Sequence, residues 1–301
     1  MAALKQFNSA DSLVPLEEKD VARLRIGWRS RLAADDIRRI LQALPGRSMW
    51  DTRTLEYAIA APWRNRTDIV QIAELSAVLH PEEMILAVTE RSHELGAALT
   101  VIVEVDETRR TSFYERCGYR HLEKVITFGI ERHQAPRVVR PRELTFIPVD
   151  PGNDEMREIL VRLDNRSFPW IWWNSDLEFK VYGLTPGVEV YLGLLDGKPV
   201  SYIGITMFPT WGHLDRIAVD PDLQGQGLGR FALAFAVETL FQRGARKVGL
   251  STQSTNERSR RLYERYGFRR TDDHDYDLWG DDERMPGGIT IPAPPHERLK
   301  G

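Results

Sequence analysis

The chain has 301 residues, 42% of them hydrophobic and 28% charged, with a formal net charge of -3. That describes globular protein with room for two domains of ordinary size, and it excludes a disordered chain or one drawn to nucleic acid by bulk charge. The single cysteine, Cys117, excludes an intrachain disulfide framework, and the seven histidines form no ligating motif, so no metal is expected. The start, "MAALKQFNSADSLVPLEEKD", is polar and lacks the apolar core of a secretory signal. No stretch approaches the roughly 18 apolar residues of a membrane span. A reducing cytoplasm is the expected setting, with neither nucleic acid nor membrane as partner.

In chain order, "AVTERSHELGAALTVIVEV" (87–105) reads as a helix, a glycine and a strand, followed by "ETRRTSFYERCGYR" (107–120). Prolines and basic residues in "RHQAPRVVRPREL" (132–144) then interrupt both periodicities and mark a join. "PGNDEMREILVRLDNRSF" (151–168) is a helix by the spacing of Met156, Ile159, Leu160 and Leu163. "GVEVYLGLLDGKPVSYIGITMF" (187–208) is a hairpin turning at Asp196-Gly197. A strand "HLDRIAVD", a glycine-rich segment, a helix "GRFALAFAVETLFQRG" and a strand "KVGLST" follow. Last come a helix "NERSRRLYERYG", a turn and a strand, "RRTDDHDYDLW".

The segment 107–120 repeats at 256–269 without a gap. Six of fourteen positions are identical: Arg109/Arg258, Tyr114/Tyr263, Glu115/Glu264, Arg116/Arg265, Gly118/Gly267 and Arg120/Arg269. A helix, a glycine and a strand precede each copy, so the chain holds two copies of one α/β unit. The expected domains are 1–140 and 141–279, with 280–301 a Pro/Gly-rich arm.

"DPDLQGQGLGR" (220–230) lies between a strand and a helix. A bare loop entering a helix presents unpaired N–H groups and the positive end of the helix dipole, which suits a phosphate. A flexible surface turn explains the glycines alone equally well. The P-loop pattern is absent, and a dinucleotide fingerprint at 227–232 lacks the tight turn and the acidic residue it needs.

The order of strand, glycine loop, long helix, strand and "N…LYERYGF" resembles the GCN5-related N-acetyltransferase (GNAT) superfamily. Gln224, Gly227 and Gly229 meet its Q/R-x-x-G-x-G/A signature, and Asn256, Tyr263, Gly267 and Phe268 meet its next motif. The resemblance implies α/β architecture with two tandem GNAT-like domains, each a central mixed, mostly antiparallel sheet flanked by helices. It implies acetyl-coenzyme A as co-substrate. Backbone N–H groups over Gln224, Gly225, Gln226, Gly227, Leu228, Gly229 and Arg230 would hold the pyrophosphate. Ile217, Ala218 and Val219 would pair with the pantetheine arm, and the Val219 N–H would polarise the thioester carbonyl. Asn256 would contact the pantetheine or order the loop.

The same resemblance places Tyr263 as the acid for the leaving thiolate and His213 as a base, with Asp215 at a companion position. His213 and Asp215 are two apart on a strand and share a face. Trp170, Trp172 and Trp173 fall where members line the acceptor site, and interdomain packing explains them equally well. The expected activity is N-acetyl transfer to a small-molecule amine, by a monomer or homodimer; the alternative is an acyl-CoA-binding sensor or scaffold without transferase activity. In the first copy no glycine lies between Gly46 and Gly96, so the phosphate cradle is gone and that copy is expected to be degenerate. Its opening segment is also expected to be too short for the full set of early strands.

Overall fold

The computed structural model describes residues 12–28, 30–105, 111–139, 141 and 143–281. Arg109 of the repeat, and the arm beyond 281, lie outside the described residues. The chain divides into two compact units, one running to Leu122 and resuming at Asp277, the other running from Glu123 to Tyr276. The expected borders at 140/141 and 279/280 are therefore displaced to 122/123 and 276/277. The reason is topological: each unit takes its last strand partly from the other half of the sequence.

The first unit contains β1 (Leu13–Pro15), α1 (Ala34–Ala43), β2 (Met49–Asp51), β3 (Tyr57–Trp63), β4 (Arg66–Ser76), α2 (Pro81–Glu94), β5 (Leu99–Glu104) and α3 (Thr111–Arg116). Its sheet runs β1-β2-β3-β4-β5 and is completed by the end of β12 (Arg269–Gly280). Leu278 pairs with Val103 in that last, antiparallel ladder. Asp281 secures the strand end, accepting from the Thr100 N–H at 2.6 Å and pairing with His93. The early strands are all present, which corrects the expectation from segment length. They fit because β1 and β2 have only three residues each.

The second unit begins with most of β6 (Arg120–Glu131) and continues through β7 (Leu144–Pro148), α4 (Asp154–Ser167), α5 (Asp176–Leu184), β8 (Val188–Leu195) and β9 (Lys198–Met207). β10 (Trp211–Val219), α6 (Leu228–Gln242), β11 (Lys247–Gln253), α7 (Glu257–Tyr266) and β12 as far as Tyr276 complete it. Its strand order is β7-β8-β9-β10-β11-β6. All these pairs are antiparallel except β10 with β11.

Local chemistry explains these elements. The Asn153 side chain caps α4 by accepting from the Met156 N–H at 3.0 Å, and Ser175 caps α5 through the Glu178 N–H at 3.0 Å. Asp196 and Gly197 turn the β8–β9 hairpin with φ of 50° and 77°, the twist that a two-residue hairpin requires. α6 is apolar on most of its faces, and Ala232, Leu233, Ala236, Val237 and Leu240 are fully buried. It approaches β10 closely, since a Cβ on Gly212 would lie 2.6 Å from Leu240. No helix among the described residues is long and apolar enough to cross a membrane.

Candidate active site

β10 and β11 run together only as far as Leu214 and Leu250. Beyond that point β10 stays with β9, as far as Val219↔Ser201, while β11 stays with β6, as far as Gln253↔Val125. The two central strands therefore part, and a cleft of about 1290 Å³ opens between them. Ile217, Ala218 and Val219 form one lip, and Gln253, Thr255, Asn256 and α7 form the other.

Along a strand paired on one side, successive residues turn their N–H and C=O groups to opposite edges. The Asp220 N–H donates to the Val200 carbonyl at 2.8 Å, so Val219 and Ile217 point theirs toward the cleft. The Val219 carbonyl already accepts from Gln224 Nε2 at 3.0 Å and from Ser167 Oγ at 3.3 Å. A bulge between Leu214 and Arg216 sets this phase. It lets Leu214 and Ile217, three apart, both pack against the core under α6.

The glycine loop follows directly. Gly225 and Gly227 have φ of 85° and 84°, a conformation that L side chains rarely adopt. Gly227 caps α6, whose first turn faces the cleft with its positive dipole end. Gly229 has ordinary backbone, so its bareness leaves room in the cleft. Gln224, Gly225, Gly227, Gly229 and Arg230 all line the opening. Gln226 and Leu228 do not; Leu228 is buried with Leu144, Val200 and Val219. Arg258 donates to the Gln224 side chain, tying the loop to α7.

On α7, Asn256 is the N-cap, accepting from the Ser259 N–H at 3.1 Å, and it also lines the cleft. Tyr263 lies two turns on, in the cleft wall and only 4% exposed. Burial pushes its hydroxyl up to about 12, against a smaller opposing effect of Ser259. It remains a protonated donor at neutral pH. Its ring stands 6.2 Å from Phe128 and 6.1 Å from Phe268.

His213 and Asp215 do share a face. His213 Nδ1 lies 2.8 Å from Asp215 Oδ1, while Asp215 Oδ2 accepts from Tyr182 and, at 2.6 Å, from Thr206. Burial, then the Asp215 charge, raises the Tyr182 hydroxyl above its ordinary value. The His213 ring lies beside Gly249 of β11, where a Cβ would be 3.5 Å from Cδ2. This pair stands at the closed end of the split, about 13 Å along β10 from Ile217 at the usual strand rise. It is absent from the cleft lining, and it faces α5, whereas Tyr263 belongs to the core under α6.

The tryptophan segment divides. Trp172 lines the cleft with Ser167, Phe168 and Pro169; Trp170 and Trp173 do not. Trp173 instead donates its indole N–H to the Phe168 carbonyl at 2.7 Å. The turn hangs from a buried ion pair between Arg216, in the bulge, and Asp164 of α4, 2.6 Å apart. Arg216 also donates to the Trp172 carbonyl and lies 3.9 Å over the Phe168 ring. Asp164 accepts from the Asn174 N–H at 2.8 Å and from Tyr202. Burial opposes the Arg216 charge, but Tyr202 and Asp164 outweigh it and hold its pKa above the ordinary value.

Sequence reasoning missed several cleft residues. Arg258, Arg261, Leu262, Arg265 and Tyr266 line it from α7, and their helical spacing around Tyr263 was a usable signal. Glu123 comes from β6 and carried no signal, because strand exchange brings it there.

The corresponding places in the first unit are filled. Between β4 and α2, where the second unit has its glycine loop, the Glu56 carboxylate accepts from the N–H groups of Val78 and Leu79 at 2.7 Å each and of His80 at 3.2 Å. Tyr114, the counterpart of Tyr263, donates to Glu104, and its ring stacks on Trp279 at 4.7 Å.

The Acetyltransferase (GNAT) family model matches residues 154–268, which include the split strands, the glycine loop and α7. The second unit is a GNAT-family domain. Mycothiol acetyltransferase of Thermomonospora curvata is 30% identical over 144 residues, 45% of this chain and 47% of that protein. [Ribosomal protein bS18]-alanine N-acetyltransferase of Escherichia coli is 44% identical over 105 residues, 34% of this chain and 66% of that protein. The chain spans about half the length of the mycothiol acetyltransferases it matches. In fold it is similar to a tandem GNAT protein from the clavulanic acid biosynthesis pathway, with a TM-score of 0.56 at 12% identity, over 89% of this chain and 97% of that one. A GCN5-related N-acetyltransferase from Kribbella flavida gives a TM-score of 0.63 at 13% identity, covering 89% of this chain and 70% of its own. The architecture is thus that of tandem GNAT folds, with mostly antiparallel sheets flanked by helices.

Proposed function

We propose that the second unit transfers an acetyl group from acetyl-coenzyme A directly to an amine, most simply that of a small molecule. The observation that carries this reading is the edge of β10 left by β11 at Ile217 and the Val219 N–H, which ends in a left-handed glycine loop. A pantetheine arm has amides that pair with such an edge, and its pyrophosphate then falls at the start of α6. The Val219 N–H is placed to stabilise charge on the thioester oxygen. Gln224, Gly225, Gly227, Gly229, Arg230 and Asn256 would hold the coenzyme; Gln226 contributes backbone only.

Direct transfer needs a neutral amine, since a free alkylammonium has a pKa of about 10.4. His213, oriented by Asp215, is assigned that proton; because the pair stands outside the cleft lining and about 13 Å along β10 from Ile217, the proton would reach it through a chain of waters and not directly. The amine nitrogen forms the new bond to the acetyl carbon as the carbon–sulfur bond breaks. Tyr263 then gives its proton to the departing thiolate. Trp172 and Phe168 wall the acceptor side. A cytoplasmic location fits a chain whose one cysteine is buried and free.

The test is calorimetric titration with acetyl-coenzyme A, followed by thiol-release assays with small primary amines and an alanine-terminated peptide. One site per chain is expected, lost in Gly227→Trp, because indole fills the cradle. Unchanged affinity in that variant removes the pyrophosphate assignment. Binding without thiol release from any acceptor favours a sensor or scaffold.

A further inference from the structure

Where β10 and β11 part, the cleft opens through the sheet, and its two sides differ in charge. Toward α6 and α7 it holds the glycine loop and four arginines, Arg230, Arg258, Arg261 and Arg265. Glu257, the carboxylate on that side, is paired with Arg261 at 2.6 Å. The other side is bordered by the turn after α4, with Phe168 and Trp172. Among the described residues that line the cleft, the remaining carboxylate is Glu123.

Strand alternation puts Glu123 on this second side. Ile126, Phe128 and Ile130 of β6, with Val248 and Leu250 of β11, pack in the core under α6. The odd-numbered residues of both strands therefore face the opposite way, as Gly249 does beside the His213 ring. The β6–β11 register continues past Gln253↔Val125, since the Ser254 N–H donates to the Lys124 carbonyl at 2.7 Å. Next comes Thr255, whose hydroxyl stands 3.1 Å from each Glu123 oxygen. Glu123 is half-buried, and among the described residues it pairs with no cation.

Its level along the cleft is also fixed. On β9, four steps separate Ile205, opposite Leu214, from Ser201, opposite Val219. Four steps beyond Leu250, the β11 partner of Leu214, is Ser254, so Val219 stands level with the neighbour of Thr255. Glu123 thus lies across the open end of the cleft from the N–H assigned to the thioester oxygen, whereas His213 lies at the closed end.

We propose that Glu123 is the acceptor-binding carboxylate: it receives the acceptor as an ammonium ion against the Phe168 and Trp172 wall, and so selects cationic amines over amines that carry an adjacent carboxylate. The inference rests on the acetyl-coenzyme A reading and names the substrate class of the same cleft. A carboxylate beside aromatic rings suits an ammonium, and a free α-amino acid would bring its own carboxylate against Glu123.

The first experiment uses Glu123→Lys in the full chain with acetyl-coenzyme A and no added acceptor, read by peptide mass spectrometry. The introduced nitrogen should bond to the acetyl carbon as the carbon–sulfur bond breaks, its surplus proton passing to water and the thiolate leaving as thiol. Acetylation at position 123 is expected, with Lys124 on the other face unmodified, and adding Gly227→Trp should abolish it. An unmodified position 123 in a variant that still binds acetyl-coenzyme A by calorimetry overturns the placement. If Glu123→Lys binds no coenzyme, Glu123→Gln decides, because its amide oxygen still accepts from Thr255 and a merely structural role survives. With the small primary amine that wild type turns over fastest, Glu123→Gln should raise KM about tenfold with kcat within about twofold. Its preference for that amine over the same amine with an α-carboxylate should shrink by about tenfold. An unchanged KM overturns the charge role. Failure of wild type to bind acetyl-coenzyme A, or no thiol release from any added or introduced amine, removes the underlying reading and the Glu123 assignment with it.

Discussion

Asp215 Oδ1 stands 2.8 Å from His213 Nδ1, and its other oxygen is held by Tyr182 and Thr206. A carboxylate fixed from three sides fixes the imidazole in turn. It favours the tautomer with the proton on Nδ1 and leaves Nε2 as the acceptor. His213→Gln should lower turnover by about a hundredfold, and Asp215→Asn by about tenfold, with acetyl-coenzyme A affinity kept. Thiol release under saturating coenzyme measures both. Full turnover in His213→Gln would show that the pair, being outside the cleft lining, only braces β10 and α5.

Tyr263 offers a different test, because its environment sets a pH window. Burial raises its folded pKa to about 12, while an exposed phenol titrates near 10. Between those values the folded chain keeps a proton that the unfolded chain has lost. Stability is therefore complete below about pH 10 and falls as pH rises toward 12, by up to roughly 2 to 3 kcal/mol from this residue. Tyr263→Phe should flatten that part of the profile in urea denaturation. The same variant should lower turnover by about 10- to 100-fold with coenzyme affinity nearly constant. Full activity in Tyr263→Phe removes its role as acid.

Most of the second unit was readable from the sequence because its signals are local. The turn at Asp196-Gly197, the left-handed glycines of the loop and the Asn256 cap each act within a few residues. The two-residue spacing of His213 and Asp215 correctly placed them on one face. The bulge after Leu214 has no sequence signal, so the side of the sheet they share with α5 could not be read. Strand exchange was equally hidden. β6 and β12 begin at equivalent points of the repeat, at Arg120 and Arg269, and nothing local decides whether β5 or β11 takes which. Trp172 was separable from Trp170 and Trp173 only through the Arg216–Asp164 pair, whose partners are 52 residues apart.

That ion pair gives the largest expected stability effect. Asp164 is fully buried, and the Arg216 side chain is 10% exposed. Removing one member strands the other, so Arg216→Met should cost about 3–5 kcal/mol, read by urea denaturation. Arg216→Lys keeps the charge but loses the planar fork that reaches Asp164 and the Trp172 carbonyl together. It should cost less and should mainly increase hydrogen exchange over residues 168–174. Unchanged exchange there would mean that the turn is held by its own packing.

Glu56 tests the proposal that the first copy binds no coenzyme. Its carboxylate takes three N–H groups before α2, in the place that corresponds to the glycine loop. A carboxylate there does locally what a phosphate does at the start of α6, and it is covalently present at all times. On that proposal the lost glycines are only half of the explanation, because the remaining donors are already occupied. Glu56→Ala should destabilise the first unit by about 1–3 kcal/mol, since three N–H groups lose a charged acceptor. Its thermal unfolding should be partly rescued by millimolar phosphate, beyond any rescue of wild type. Acetyl-coenzyme A should still bind at one site per chain, because Tyr114 is tied to Glu104 and covered by Trp279. A second coenzyme site in Glu56→Ala would mean that this one carboxylate alone keeps the first fold from binding.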